Sequence, residues 1–427
     1  MTFRAILHST TMNRVICMTQ KKILMISPVI PSEEGYGLQK RAAFHLMAIT
    51  NTSILDLIIF DQAFRNSQPL NESLTLSCNK VIRVPAIEEP RRPFSSSPPF
   101  HTLSEIFNSK FKRMLPKEKD LIKVAAEFNN SSYDFIFSFR TRSALMLNEL
   151  KRICTINAQR KIVDFDDIES ISFHREMLSY NGTRGIEQGV IDRITSFRLK
   201  GIENNLLQTS DVVIVCSEHD KRILEKRPHR SKIHVIPNSV PSSVISGRKE
   251  TNDIFEILFV GFMSYRPNEE GVLWFCKKVA PLIQEKVKVN FHISIVGFSP
   301  TKEVRNLAVA SNITITGGVD SVIPYYQKAD LVIAPIRYGG GTRIKIIEAM
   351  SQRLAIVSTT IGAEGLIIKH GENILIADTP EQFAEACSLL IKDSVFRNKI
   401  AMGGLECFEK KYSSLTVSKL WQEILQP

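Results

Sequence analysis

Short apolar runs rich in Ile, Val and Phe alternate along the chain with longer stretches whose apolar residues recur at helical spacing. That alternation predicts strands of a parallel sheet wrapped by helices. The first half opens with a strand at Lys22–Ser27, a loop ending in Gly35-Tyr36-Gly37 and a helix over Leu38–Ile49. Further strands are predicted at Ser53–Phe60, Lys80–Val84, Phe135–Phe139, Lys161–Phe165 and Val212–Cys216, with a long helix from Glu187 to Gln208. Pro85–Pro99, dense in Pro and Ser, reads as a surface loop. Val240–Asp253 lacks periodicity, and a second alternating series then begins. Its strands fall at Phe255–Val260, Asn290–Val296, Asn312–Thr316, Leu331–Ala334 and Ala355–Ser358. Its helices fall near Glu269–Glu285, Thr301–Ala310, Thr342–Gln352 and Glu381–Lys392, with more helix out to Leu425.

The expected fold class is therefore α/β, with two doubly wound domains. An N-terminal extension (1–20) precedes a first domain (21–238), a linker (239–254) and a second domain (255–427), whose last helices are candidates to pack back on the first. A ligand is expected between the domains, at the carboxyl ends of the strands.

Length and composition agree with this division. A chain of 427 residues exceeds what one core usually serves, and 43% apolar with 23% charged residues is ordinary globular composition. No apolar run approaches the roughly 20 residues needed to span a bilayer. The seven cysteines are scattered, without metal-type spacing, which favours a reducing, cytoplasmic setting. The net charge of +11 suits a phosphorylated substrate or an anionic membrane surface as well as plain solvation. Arg91, Arg92, Lys110, Lys112, Arg113 and Lys117 carry part of it. No nucleic-acid motif accompanies the charge, so nucleic acid is not an expected partner.

The densest chemical signal is Ala334-Pro-Ile-Arg-Tyr-Gly-Gly-Gly-Thr-Arg-Ile-Lys-Ile-Ile-Glu-Ala-Met350. A strand ends near Ala334, Gly339, Gly340 and Gly341 follow, and a helix is predicted from Thr342. Glycines allow close backbone approach, and a helix N-terminus offers free N–H groups to a phosphate. Arg343 and Lys345 in the first turn oppose the helix dipole, a placement that makes sense if an anion binds there. Glu348, about one and a half turns further, is placed to accept hydrogen bonds from a ribose diol. Arg140 and Arg142 end a strand on the cleft side and suit an anionic acceptor or solvent. For Asp164, Asp166 and Asp167 three roles are open: metal ligands, a helix cap, or acceptor contact. The dinucleotide fingerprint is absent after the first strand, as is a hydrolase nucleophile elbow.

Asp330–Ile391 resembles the donor-binding half of the GT-B glycosyltransferases of family 4, through GGGTRIKIIEAM, STTIGAEGL and GENILIADTPEQFAEACSLLI. Val235-Ile-Pro-Asn238, Phe259–Asn268 and Thr316–Val319 extend the likeness. The segment VDFDDIES (163–170) is similar to sugar transferases of exopolysaccharide-type systems. The resemblance implies two Rossmann-like domains facing each other across a cleft, and transfer of a sugar from a nucleotide-sugar to a glycan or lipid-linked acceptor with retention. It implies that Glu348 holds the ribose, that Arg343 and Lys345 neutralise the diphosphate, and that Gly35 and Gly37 close over the phosphates. Gly339–Gly341, Thr342 and Glu364 would line the donor cleft; no metal or other cofactor is implied. Arg140, Arg142, Asp166 and Asp167 would stand on the acceptor side. Two departures stand out. The first of the family's paired glutamates falls at Gly340, and Asn268 stands where a lysine is frequent, with Arg266 a candidate to compensate. A nucleotide-sugar epimerase and a non-catalytic binding protein are the alternatives on the same fold.

Overall fold

The computed structural model describes residues 20–62, 76–86, 116–179, 186–241 and 254–426. Most of the N-terminal extension, most of the linker, and Arg91, Arg92, Lys110, Lys112 and Arg113 lie outside the described residues.

The first half carries β1 (Lys21–Ser27), α1 (Gly37–Thr50), β2 (Ser53–Gln62), β3 (Lys80–Ala86), α2 (Glu118–Phe128), β4 (Ser131–Phe139) and α3 (Thr141–Ile153). It continues with β5 (Ile156–Phe165), α4 (Glu169–Ser179), α5 (Ile186–Thr209), β6 (Val212–Val215), α6 (Glu218–Glu225) and β7 (Lys232–Val235). The second half runs β8 (Phe255–Val260), α7 (Arg266–Trp274), α8 (Ala280–Lys286), β9 (Phe291–Val296), α9 (Lys302–Arg305), β10 (Ile313–Gly317) and α10 (Ile323–Lys328). It ends with β11 (Leu331–Ala334), α11 (Ile344–Ser351), β12 (Ala355–Ser358), β13 (Leu375–Ile376), α12 (Pro380–Lys392), α13 (Ser394–Lys411) and α14 (Ser414–Leu425).

Seven strands pair in the order β3-β2-β1-β4-β5-β6-β7 and six in the order β10-β9-β8-β11-β12-β13, with every pairing parallel. Helices cover both faces, so strands inside the sheets are buried along their length: all four residues of β6, β11 and β12 are buried, with Ser358 the one polar residue among them. In each sheet the order reverses beside its first strand, between β1 and β4 and between β8 and β11. Such switch points open a crevice at the carboxyl ends, and the two crevices face one another.

The last helices are strung together by side-chain caps. Thr379 and Gln382 form a capping box with Pro380 in the first turn of α12, Asp393 accepts from Phe396 N–H at 2.8 Å, and Ser413 accepts from Thr416 N–H at 3.3 Å. The turn at Ser413 sends α14 back to the first domain, where Val417, Trp421, Ile424 and Leu425 join the core of Ile23, Met25 and Phe137. β7 and β13 are not anticipated from the sequence. β7 is short and half polar, and β13 has two residues, so neither produces an apolar run.

Candidate active site

Two helix N-termini meet at the paired crevices. The loop after β1 reaches α1 through Gly35-Tyr36-Gly37, where Tyr36 N–H is held by Gln39 Oε1 at 3.3 Å. A Cβ on Gly37 would stand 3.4 Å from the side chain of Ile344, the first residue of α11, so the glycine loop abuts the opposite helix. Tyr36 stacks on Phe262 of the loop after β8, with centroids 5.7 Å apart. Both helices lack an acidic residue in their first turn, which leaves their positive dipole ends unopposed by local carboxylates.

α11 begins later than the sequence suggests. Gly339 (φ 111°) and Gly341 (φ 69°) hold left-handed backbone, the chain stays non-helical through Arg343, and Ile344 opens the helix. Thr342 is therefore a loop residue, and its hydroxyl receives Asn238 Nδ2 at 2.7 Å. Arg343 turns back to donate to the Gly340 carbonyl, leaving its Nε buried without a partner among the described residues.

Lys345 is buried. Its ammonium donates to Asn268 Oδ1 at 2.8 Å and lies 3.8 Å from the centroid of Phe259. Burial, then the neighbouring Arg343 charge, pushes this lysine well below its usual range, with Glu348 opposing. Asn268 thus positions a lysine. A Cβ on Gly261 would fall within 2.9 Å of both partners, so the glycine that follows β8 makes room for the pair. Glu348 is likewise buried; Tyr326 O–H donates to its Oε2 at 2.8 Å, and Lys40 of α1 forms an ion pair with its Oε1.

Gly340 is close-packed by the first domain. A Cβ there would sit 1.8 Å from Ser172 Oγ and 2.4 Å from Asp167 Oδ1, so no side chain fits while α4 is docked. Ser172 donates to Asp167 at 2.6 Å, and burial raises the Asp167 carboxyl to about 6 against the pull of Arg140. Arg175 of α4 secures the same seam: it donates to the Gly339 carbonyl at 3.1 Å and to Glu364 Oε1 at 3.0 Å. Glu364 also stands 3.6 Å from His219.

The aspartate run is not a helix cap. The N–H groups of Ile171 and Ser172 bond to the Ile168 carbonyl, while the carboxylates of Asp164 and Asp166 are committed to arginines. Asp164 receives Arg41 Nε at 2.8 Å and Nη2 at 3.0 Å, and Asp166 receives Arg140 Nη1 at 2.8 Å. Arg140 also bonds Glu169 at 2.9 Å, so its guanidinium is tied to the protein's own carboxylates at the end of β4. Arg142 lies half-buried on α3. Arg266 begins α7.

The structure brings Gly37, Gly339–Gly341, Thr342, Arg343, Lys345 and Glu348 to one seam, with Asp167 and Glu364 at its far side. Sequence reasoning misses Lys40, Tyr326, Ser172 and Arg175, whose importance comes from contacts far along the chain.

Residues 254–393 match the family described as Glycosyl transferases group 1. A stretch of 175 residues, 39% of this chain, is 27% identical to an uncharacterized 44.6 kDa protein in the cps region of Klebsiella pneumoniae. The match spans 45% of that protein, less than half its length. The fold is similar to sucrose-phosphate synthase from Thermosynechococcus elongatus (TM-score 0.66, 15% identity, 95% of this chain and 98% of that one). It is also similar to HepE from Anabaena in complex with UDP and glucose (TM-score 0.64, 14% identity, 95% and 99%). S. aureus TarM aligns with TM-score 0.66 and 12% identity over 96% and 100% of the two chains.

Proposed function

The fold is GT-B, and we propose that on it this chain transfers a sugar from a nucleotide-sugar donor to a glycan or lipid-linked acceptor. The observation that carries the reading is the buried Lys345 beside Arg343 at the start of α11, with Glu348 further along the same helix. A buried ammonium whose direct partners among the described residues are an amide and a ring face, with Glu348 acting on it at longer range, is costly unless a further anion is meant to meet it. A diphosphate fits there in charge, and the carboxylate of Glu348 suits a ribose diol. Support for the donor class comes from the match to glycosyl transferases group 1 and from the fold shared with proteins solved with UDP.

In this reading the protein's work is orientation and charge stabilisation. Backbone amides of the glycine turn, Arg343 and Lys345 stabilise the departing diphosphate as its bond to the sugar breaks. We place the transferred sugar beside Gly340, where Asp167 and Ser172 of the first domain fill the room a side chain would take. Retention of configuration, family 4 membership and independence from metal are part of the proposal. A role in polysaccharide synthesis and peripheral attachment to an anionic membrane complete it; Lys117 is its described, exposed basic candidate.

The test is turnover of a panel of UDP-, GDP- and ADP-sugars, with and without glycan and lipid-linked acceptors. EDTA and anionic vesicles at low and high salt are further arms. Acceptor-dependent release of a nucleoside diphosphate that survives EDTA supports the reading. Acceptor-independent interconversion of donors would make the chain an epimerase, and binding without turnover a non-catalytic protein. Activity that needs added Mn²⁺ would reverse the metal assignment, and vesicle binding indifferent to salt or lipid charge would remove the membrane role.

A further inference from the structure

Lys40 carries one of the side-chain contacts that join the two domains across the candidate site. It lies in the first turn of α1, three residues beyond Gly37, and its side chain is 13% exposed. Its ammonium pairs with Glu348 of the other domain, itself 11% exposed. No structural need of α1 explains a cation there, since a positive charge in a helix's first turn opposes the dipole.

The local charges do not balance. Lys40 and Lys345 act on Glu348, Arg343 lies between Lys345 and Asp167 of the first domain, and the two helix N-termini add partial positive charge in the same seam. Three cations and two helix N-termini against Glu348 and Asp167 leave an excess of positive charge that suits a diphosphate. Glu348 has one oxygen occupied by Tyr326 and the other by Lys40, so a ribose diol that takes the carboxylate must compete with Lys40. An ammonium turned off a carboxylate in a largely buried seam needs another anion within reach. The adjacent phosphates are that anion.

We propose that Lys40 is a phosphate-binding residue contributed by the first domain, and that it exchanges Glu348 for the diphosphate as the ribose takes Glu348. The inference rests on the reading of Glu348 as the ribose-holding carboxylate. It makes phosphate and ribose recognition one coupled event: a nucleoside alone must break the ion pair and gives Lys40 no anion in return, whereas a nucleoside diphosphate supplies both. Discrimination against nucleosides is thereby built into the domain contact.

The experiment is calorimetric titration of the parent, Lys40→Met, Lys40→Arg and Glu348→Ala with UDP, GDP and ADP and with uridine, guanosine and adenosine. Lys40→Met is expected to weaken the preferred nucleoside diphosphate about tenfold or more, while its nucleoside binds as well as to the parent or more tightly. Lys40→Arg is expected to restore most of the diphosphate affinity. Equal weakening of nucleoside and diphosphate would reduce Lys40 to a structural residue, and unchanged diphosphate affinity would overturn its role outright. Glu348→Ala separates the two readings. If it leaves nucleoside affinity intact, the ribose assignment fails, while a Lys40→Met loss confined to the diphosphate still supports Lys40 at the phosphates.

Discussion

Burial sets the Lys345 ammonium against stability, and the proposed function places it at the donor diphosphate. Its folded-state affinity for a proton is lowered by burial and by Arg343, so protonating it in the folded protein is costly. That cost is relieved as pH rises from the depressed value toward the ordinary lysine value of about 10.5. Lys345→Met is therefore expected to melt higher than the parent at pH 7, with the gap narrowing toward pH 10, while turnover falls more than the donor KM rises. Melting curves across that range, with steady-state kinetics, check both halves. A variant that melts lower at pH 7 would mean that Asn268 and the Phe259 face fully compensate the ammonium. Glu348 behaves oppositely, because Tyr326 and Lys40 both depend on it. Glu348→Ala should weaken nucleotide binding by about 1.5–3 kcal/mol through lost charge-assisted bonds. It should also lower stability by about 1–3 kcal/mol, because it leaves the buried Tyr326 hydroxyl with only its longer bond to the Lys345 carbonyl, at 3.4 Å. Titration with the preferred nucleotide measures the first, and affinity unchanged for every nucleotide would remove the role.

At the scale of elements, the seam between α4 and the glycine turn converts a departure from the family pattern into a packing requirement. Position 340 carries no side chain because Ser172 and Asp167 occupy its volume. Gly340→Ala should push α4 off the turn, strain the Arg175 bonds to Gly339 and Glu364, and reduce turnover with only a small loss of nucleotide affinity. Adding Ser172→Gly should recover part of the turnover by removing the nearest clashing atoms, a coupling that a double-mutant cycle reads directly. Additive effects would show that the two positions do not meet in the folded protein. Apolar runs such as those of β8 and β11, and the glycine-basic-acid order of 339–348, are local patterns, so the two sheets and the turn are legible in the sequence alone. The partners of Gly340 sit at 167 and 172, and those of Glu348 at 40 and 326. Nothing local marks them. The Asp164–Asp167 run misleads for the same reason: a cap is plausible from its neighbours in sequence, but Arg41 and Arg140 reach the carboxylates from elsewhere in the fold.

At the scale of the whole molecule, a buried polar chain links the C-terminal helix to the glycine turn. Trp421 N–H donates to His45 Nδ1 at 2.9 Å, and His45 Nε2 meets Asp164 Oδ2 at 2.7 Å. Asp164 holds Arg41, which donates to Asn238 Oδ1 at 3.1 Å, and Asn238 in turn donates to Thr342. Indole nitrogen can only donate, so His45 accepts at Nδ1 and carries its proton on Nε2, toward an ionised Asp164. Burial and Arg41 keep this histidine neutral by lowering its pKa below 6.5. The stability that follows is complete above pH 6.5 and is lost as pH falls through the lowered value. Trp421→Phe retains a ring against Phe137, which Trp421 meets edge-on at 5.0 Å, but removes the donor. At pH 8 it should cost about 1–3 kcal/mol, the usual penalty for a buried acceptor left unpaired. With Nδ1 free of its partner, protonation of His45 becomes easier in the variant, so its stability declines less on acidification. The gap between parent and variant should therefore shrink between about pH 7 and about pH 5. Denaturant melts of both proteins at several pH values provide the measurement. A gap that stays constant or widens toward acid would mean that His45 does not carry its proton on Nε2, and that the chain from α14 to the glycine turn is broken at its second link.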